Sequence, residues 1–143
     1  MPRLCTIGYE GATLDGVLSA LRAAGVTHLL DIRARAQSRK PGFSKTLLGG
    51  SAAAAGIGYT HLRGLGTPKP GRDAVRRGDV AGMRRIFRAH MDTAEAQADL
   101  AQARAAAADA PCCLLCFERD HTHCHRAIVA EILGGAVRHL VPA

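Results

Sequence analysis

The chain has 143 residues, a formal net charge of +7 and 48% hydrophobic residues. That length suits one domain, residues 1–143, burying roughly two thirds of its unfolded surface, and no run of about 18 apolar residues offers a membrane span. With 3% aromatic residues and no tryptophan, the core falls to Leu, Val, Ile and Ala, and few rings remain for stacking on bases.

The opening "MPRLCTIGYEG" has only a short apolar run before it turns polar, so no signal peptide is expected and the cytoplasm is the expected compartment. Five cysteines make an odd set, and Cys112, Cys113 and Cys116 fall in an apolar run. Reduced thiols are expected, rather than a disulfide scaffold. The basic balance favours anionic partners, phosphorylated small molecules or nucleic acid among them.

Residues 3–9, "RLCTIGY", give a short strand ending near Gly8. Leu14, Val17, Leu18 and Leu21 then repeat at helical spacing, with Thr13 as N-cap and Gly25 as stop. "THLLDIR", 27–33, gives a second strand, followed by the basic loop "ARAQSRKPGFS". A short helix is expected over 44–55 before Gly56, and a weaker third strand over 57–63. "GLGTPKPGRD", 64–73, reads as a turn-rich loop. Asp79 caps a helix through about His90. The Asp92–Glu95 spacing is that of a capping box, opening an alanine-rich outer helix to about Ala108. "CCLLCFE", 112–118, is a buried strand; a helix through Leu133 and a last strand over 136–141 follow. Strands alternating with helices predict an α/β fold. The expected form has three layers, a largely parallel sheet of about five strands with helices on both faces.

In such sheets the binding site forms beyond the carboxyl ends of the strands. Three of those ends carry unusual polar sets: Tyr9 and Glu10; Asp31 and Arg33, with Ser38 and Arg39 beyond; and Glu118, followed by the histidine-rich "RDHTHCHR" of 119–126. The last set crowds cations and a thiol at a helix start, which already behaves like about half a positive charge. An anion bound there would relieve the conflict, and Cys124 in that field would favour its thiolate. The expected site is therefore an anion or nucleophile pocket. Cys124, His125, Glu118, Glu10 and Asp31 are its catalytic candidates. Tyr9, Arg33, Ser38, Arg39, His61 and Arg126 are its ligand-binding candidates.

Other readings stay open. The tyrosine-phosphatase pattern, a cysteine and an arginine six residues apart around a glycine loop, is absent. A rhodanese-like sulfurtransferase also puts a cysteine between strand and helix and is a minor alternative. Cys116, His121, His123, Cys124 and His125 offer zinc-type ligands, although their spacing matches no two-pair zinc pattern, and no resident metal is assigned. The segment can also be only a solvated loop and helix cap. A non-catalytic module is the rival from another class, binding nucleic acid or a partner protein through the basic loops 33–45 and 63–77.

"TIGYEG", "LLDIR", "SRKPGFSK", "GIGYTHLRGLG", "LLCFE" and "CHR" stand in this order from Thr6 to about Leu140. In this the chain resembles the bacterial domain-of-unknown-function family 488. The resemblance implies a small cytosolic α/β protein, and it names no reaction. It marks Thr6, Gly8, Tyr9, Glu10, Asp31, Arg33, Ser38, Arg39, Phe43, His61, Leu65, Gly66, Cys116, Glu118, Cys124, His125 and Arg126. His121 and His123 lie outside its pattern. Ala36 stands where the family usually has proline, which implies a more mobile loop before Ser38 and Arg39.

Overall fold

The computed structural model describes residues 4–143. Arg3, expected in the first strand, lies outside them. Five strands form one sheet, β1 (Leu4–Gly8), β2 (His28–Asp31), β3 (Gly58–His61), β4 (Cys112–Cys116) and β5 (Val137–Leu140). Every pairing is parallel, in the order β3-β2-β4-β1-β5. The described residues form six α-helices: α1 (Leu14–Ala23), α2 (Lys45–Ala54), α3 (Lys69–Arg76), α4 (Val80–His90), α5 (Ala94–Asp109) and α6 (Arg126–Leu133).

The strands are buried on both faces, so they read as continuous apolar runs, yet their side chains still alternate. Leu30, Ile32, Cys112 and Leu114 pack with residues of α3, α4, α5 and α6. Cys5, Ile7, Leu29, Cys113 and Leu115 pack with residues of α1 and α2. The result is the three-layer α/β fold expected from the alternation of elements. None of the helices among the described residues is long and apolar enough to cross a membrane.

Local signals set most boundaries. The Thr13 hydroxyl accepts from the Gly16 amide at 3.0 Å, and the Asp79 carboxylate accepts from the Gly82 amide at 2.8 Å, closing the first turns of α1 and α4. Two expectations need correction. The cap of α5 is Thr93, not Asp92; its hydroxyl accepts from the Ala96 amide at 3.2 Å. Within the stretch expected to be a turn-rich loop, a 3₁₀ turn (Arg63–Leu65) is followed by α3. Pro68 caps that helix and Pro70 occupies its first turn, where a missing N–H costs nothing.

The strand order decides where a site can form. β4 lies between β2 and β1. The helix after β1 packs on one face, while the helix after β4 packs on the other. The chain therefore parts to opposite faces between two neighbouring strands, which opens a crevice at their carboxyl ends. Tyr9, Arg33 and Cys124 all belong to segments leaving those ends.

Candidate functional site

Two buried polar networks meet at this edge. The first is built on Asp31, the last residue of β2, which is fully buried. Its carboxylate pairs with the Arg33 guanidinium through two hydrogen bonds, 2.9 Å from Nε and 2.7 Å from Nη2. Arg33 Nη1 donates to the Tyr9 hydroxyl at 3.1 Å and to the Phe43 carbonyl at 2.7 Å. Tyr59 donates its hydroxyl to the same carboxylate. Burial alone would lower the Arg33 pKa, but the Asp31 carboxylate and Tyr9 hold it above its usual value. Burial and Asp31 push the Tyr59 phenol up. The Tyr9 ring stacks on Phe43, centroids 4.4 Å apart, and meets Phe117 edge-on.

The second network surrounds the start of α6. Cys116 ends β4, and its sulfur is joined to that of Cys124 in a disulfide. This corrects the expectation that every thiol is reduced: Cys5 and Cys113 are free and buried, and this pair is not. In this state Cys124 is no thiolate at a helix start. Between the two cysteines the chain makes a 3₁₀ turn (His121–His123), capped by the Asp120 carboxylate, which accepts from the Thr122 amide at 2.9 Å.

His125 is buried, and its Nε2 lies 2.8 Å from the Ile32 carbonyl oxygen. A carbonyl only accepts, so Nε2 carries the proton. Nδ1 therefore presents its lone pair, 3.7 Å from the Cys124 sulfur. Burial lowers the His125 pKa to about 4, so the ring is neutral and adds no charge to the helix start.

Arg126 turns away from the helix axis and is fully buried. It donates to the Thr6 hydroxyl at 3.1 Å, to the Cys116 sulfur at 3.2 Å, and to the carbonyls of Glu118 and Arg119. Thr6 in turn is hydrogen-bonded to His139 Nδ1 at 2.6 Å. Gly8 is required at this crossing. A Cβ on it would fall 1.8 Å from the Glu118 carbonyl oxygen and 2.9 Å from Arg126 Nη1. Burial raises the Glu118 carboxyl to about 7 against the opposing pull of Arg126. Cys116, Glu118, Cys124 and His125 bring ligand-type atoms within 4.8 Å of one another.

The networks touch where His125 bonds Ile32 and where Phe117 meets Tyr9. The structure therefore brings Tyr9, Asp31, Arg33, Cys116, Glu118, Cys124, His125 and Arg126 to one edge. It also fills that edge: Arg33 and Arg126 give their donors to protein acceptors. Glu10 is exposed, and its carboxylate accepts from the Arg119 amide at 3.0 Å. His61 Nε2 donates to the Arg33 carbonyl at 2.8 Å. Ser38 organises its own loop through Ser44 and Lys40, leaving Arg39 exposed. His121 stacks on His139 at 3.7 Å, and His123 is exposed; neither joins the cysteine cluster. Reading of the residues alone passed over Tyr59 and His139. Both lie on strands, and their partners Asp31 and Thr6 become visible only through pairing across the sheet.

No curated protein and no solved structure matches the chain. Residues 13–133 match the family described as domain of unknown function DUF488, and the chain belongs to that family.

Proposed function

We propose that the protein is an enzyme-like protein whose reactive group is the Cys124 thiolate, formed when the Cys116–Cys124 bond is reduced. Its ligand is anionic and phosphate-bearing, a nucleotide or a nucleic-acid end. The carrying observation is the setting of His125. Its Nε2–H is tied to Ile32, and its free Nδ1 faces the Cys124 sulfur. A base oriented in this way by a third group is the arrangement that activates a nucleophilic thiol. His125 takes the Cys124 proton, Glu118 serves as the acid–base partner, and Arg126 holds negative charge at Cys116.

With Arg33 and Arg126 committed inward, the anion is met by the exposed rim, Arg39 and Arg119. Exposed Phe117, Asp120, Thr122 and His123, between β4 and α6, flank its approach. The test is the melting temperature of the reduced protein with and without nucleotides and inorganic phosphate. The reading requires stabilisation by a phosphate-bearing compound, and Cys124→Ser must retain that binding while losing turnover. No stabilisation by any of them counts against it.

A non-catalytic nucleic-acid module is the second reading. Exposed Arg76, Arg77, Arg84, Arg85 and Arg88 on and beside α3 and α4 favour it. Such a module would lose affinity steeply with salt and would tolerate Cys124→Ser in every assay.

A further inference from the structure

Arg126 presents an unbalanced charge. It is fully buried, yet among the described residues no carboxylate oxygen forms an ion pair with it. Its acceptors are a hydroxyl, two carbonyls and the Cys116 sulfur. A buried charge is costly without a counter-charge. Cys116 Sγ, 3.2 Å from Arg126 Nη1, supplies one once the disulfide is reduced, beside the Glu118 carboxyl that acts on the same guanidinium.

Two thiolates would overshoot. With the Glu118 carboxylate they bring three negative charges to a space where four ligand atoms lie within 4.8 Å of one another. A divalent cation leaves one negative charge, and Arg126, 3.2 Å from Cys116 Sγ, cancels it. The donors, two sulfurs, one imidazole nitrogen and one carboxylate oxygen, are those of a tetrahedral zinc site. His125 is set for this role as well, because a metal-bound histidine ordinarily gives its other N–H to a carbonyl or carboxylate. Here that acceptor is the Ile32 oxygen.

We propose that the reduced protein binds one zinc ion through Cys116, Glu118, Cys124 and His125, and that oxidation of the two thiolates to the disulfide expels it. With hydrogen peroxide as oxidant, the two thiolates give up two electrons and join as the disulfide. The peroxide takes those electrons and two protons and leaves as two waters, and the zinc ion is released. This inference shares Cys124 and His125 with the proposed thiol chemistry and rests on that reading's reduced state. It differs in what occupies that state.

The experiment uses the full chain, reduced with a phosphine and loaded with cobalt(II) as the optical probe. One cobalt per chain is expected, with a near-ultraviolet thiolate-to-cobalt band and the visible bands of a tetrahedral site. Cys116→Ser and Cys124→Ser must each weaken the thiolate band, and Glu118→Gln must shift the visible bands. Hydrogen peroxide must release one equivalent of metal to a chromophoric chelator. X-ray absorption on zinc-loaded wild type needs no variant to fold; it must show two sulfurs at about 2.3 Å and nitrogen or oxygen at about 2.0–2.2 Å. No binding by the reduced wild type, or a shell of nitrogen and oxygen alone, overturns the site. If cobalt fails to bind while the metal-free protein is alkylated rapidly at Cys124, only the zinc site falls. If cobalt binds while Cys124 of the metal-free protein reacts no faster than a buried thiol, only the nucleophile reading falls.

Discussion

Asp31 and Arg33 form an ion pair at 2.7 Å in which both side chains are almost wholly removed from water. The pair was expected to belong to a ligand site. In the structure it ties Tyr9, Tyr59 and the Phe43 carbonyl into one network at the strand edge. Removing one partner strands the other. Asp31→Asn is expected to destabilise the protein by about 3–5 kcal/mol, measured by urea unfolding. The double variant Asp31→Asn with Arg33→Met should recover part of the loss, since no buried charge then lacks its counter-charge.

Gly8→Ala tests the crossing of the β4–α6 connection over β1. The added Cβ meets the Glu118 backbone, not a flexible side-chain end. The backbone must therefore shift, at about 1–3 kcal/mol. Urea unfolding should show that loss. The carbonyls that hold Arg126 move too, so reduced Gly8→Ala should also bind cobalt more weakly than the wild type.

Acid should weaken the fold through His125. The ring faces Asp31 from β2, His90 from α4 and Arg126 beside it, and Phe87 packs against it at 5.1 Å. Its folded pKa is about 4, below the ordinary 6.5, chiefly through burial. In that window the unfolded chain binds the proton and the folded chain does not, so stability is lost as pH falls from about 6.5 to about 4. The loss is on the order of 3 kcal/mol. Unfolding midpoints of the disulfide form against pH should show it, and His125→Gln should flatten the slope.

Arg126→Lys keeps the charge but loses the fork. An ammonium cannot reach the Thr6 hydroxyl, the Cys116 sulfur and two carbonyls together. At least one acceptor is left unmet, and the expected loss is about 2–4 kcal/mol by urea unfolding.

Much of the architecture was legible because local chemistry and burial pattern agreed. Thr13 and Asp79 announced their helices, and unbroken apolar strands such as "CCLLC" signalled a parallel sheet covered on both faces. The convergence of Tyr9, Arg33 and Cys124 followed from strand direction alone. Helix α3 was hidden because Pro68 and Pro70 carry the same signature in a loop and in a first helical turn. The inward turn of Arg33 and Arg126 was not legible either. An arginine at a strand end looks alike whether it waits for a ligand or bonds its own chain, and the acceptors here come from distant segments. The pairing of Cys116 with Cys124 depends on how the 3₁₀ turn folds back, which spacing does not encode.

The most direct measurement is the rate of iodoacetamide labelling at Cys124 in reduced, metal-free protein at neutral pH, resolved by peptide mass spectrometry. If His125 takes the thiol proton through Nδ1, Cys124 should label roughly tenfold or more faster in the wild type than in His125→Gln, and well ahead of Cys5 and Cys113. Equal rates in the two proteins, or labelling of Cys113 as fast as Cys124, would contradict a thiol centre at this edge of the sheet.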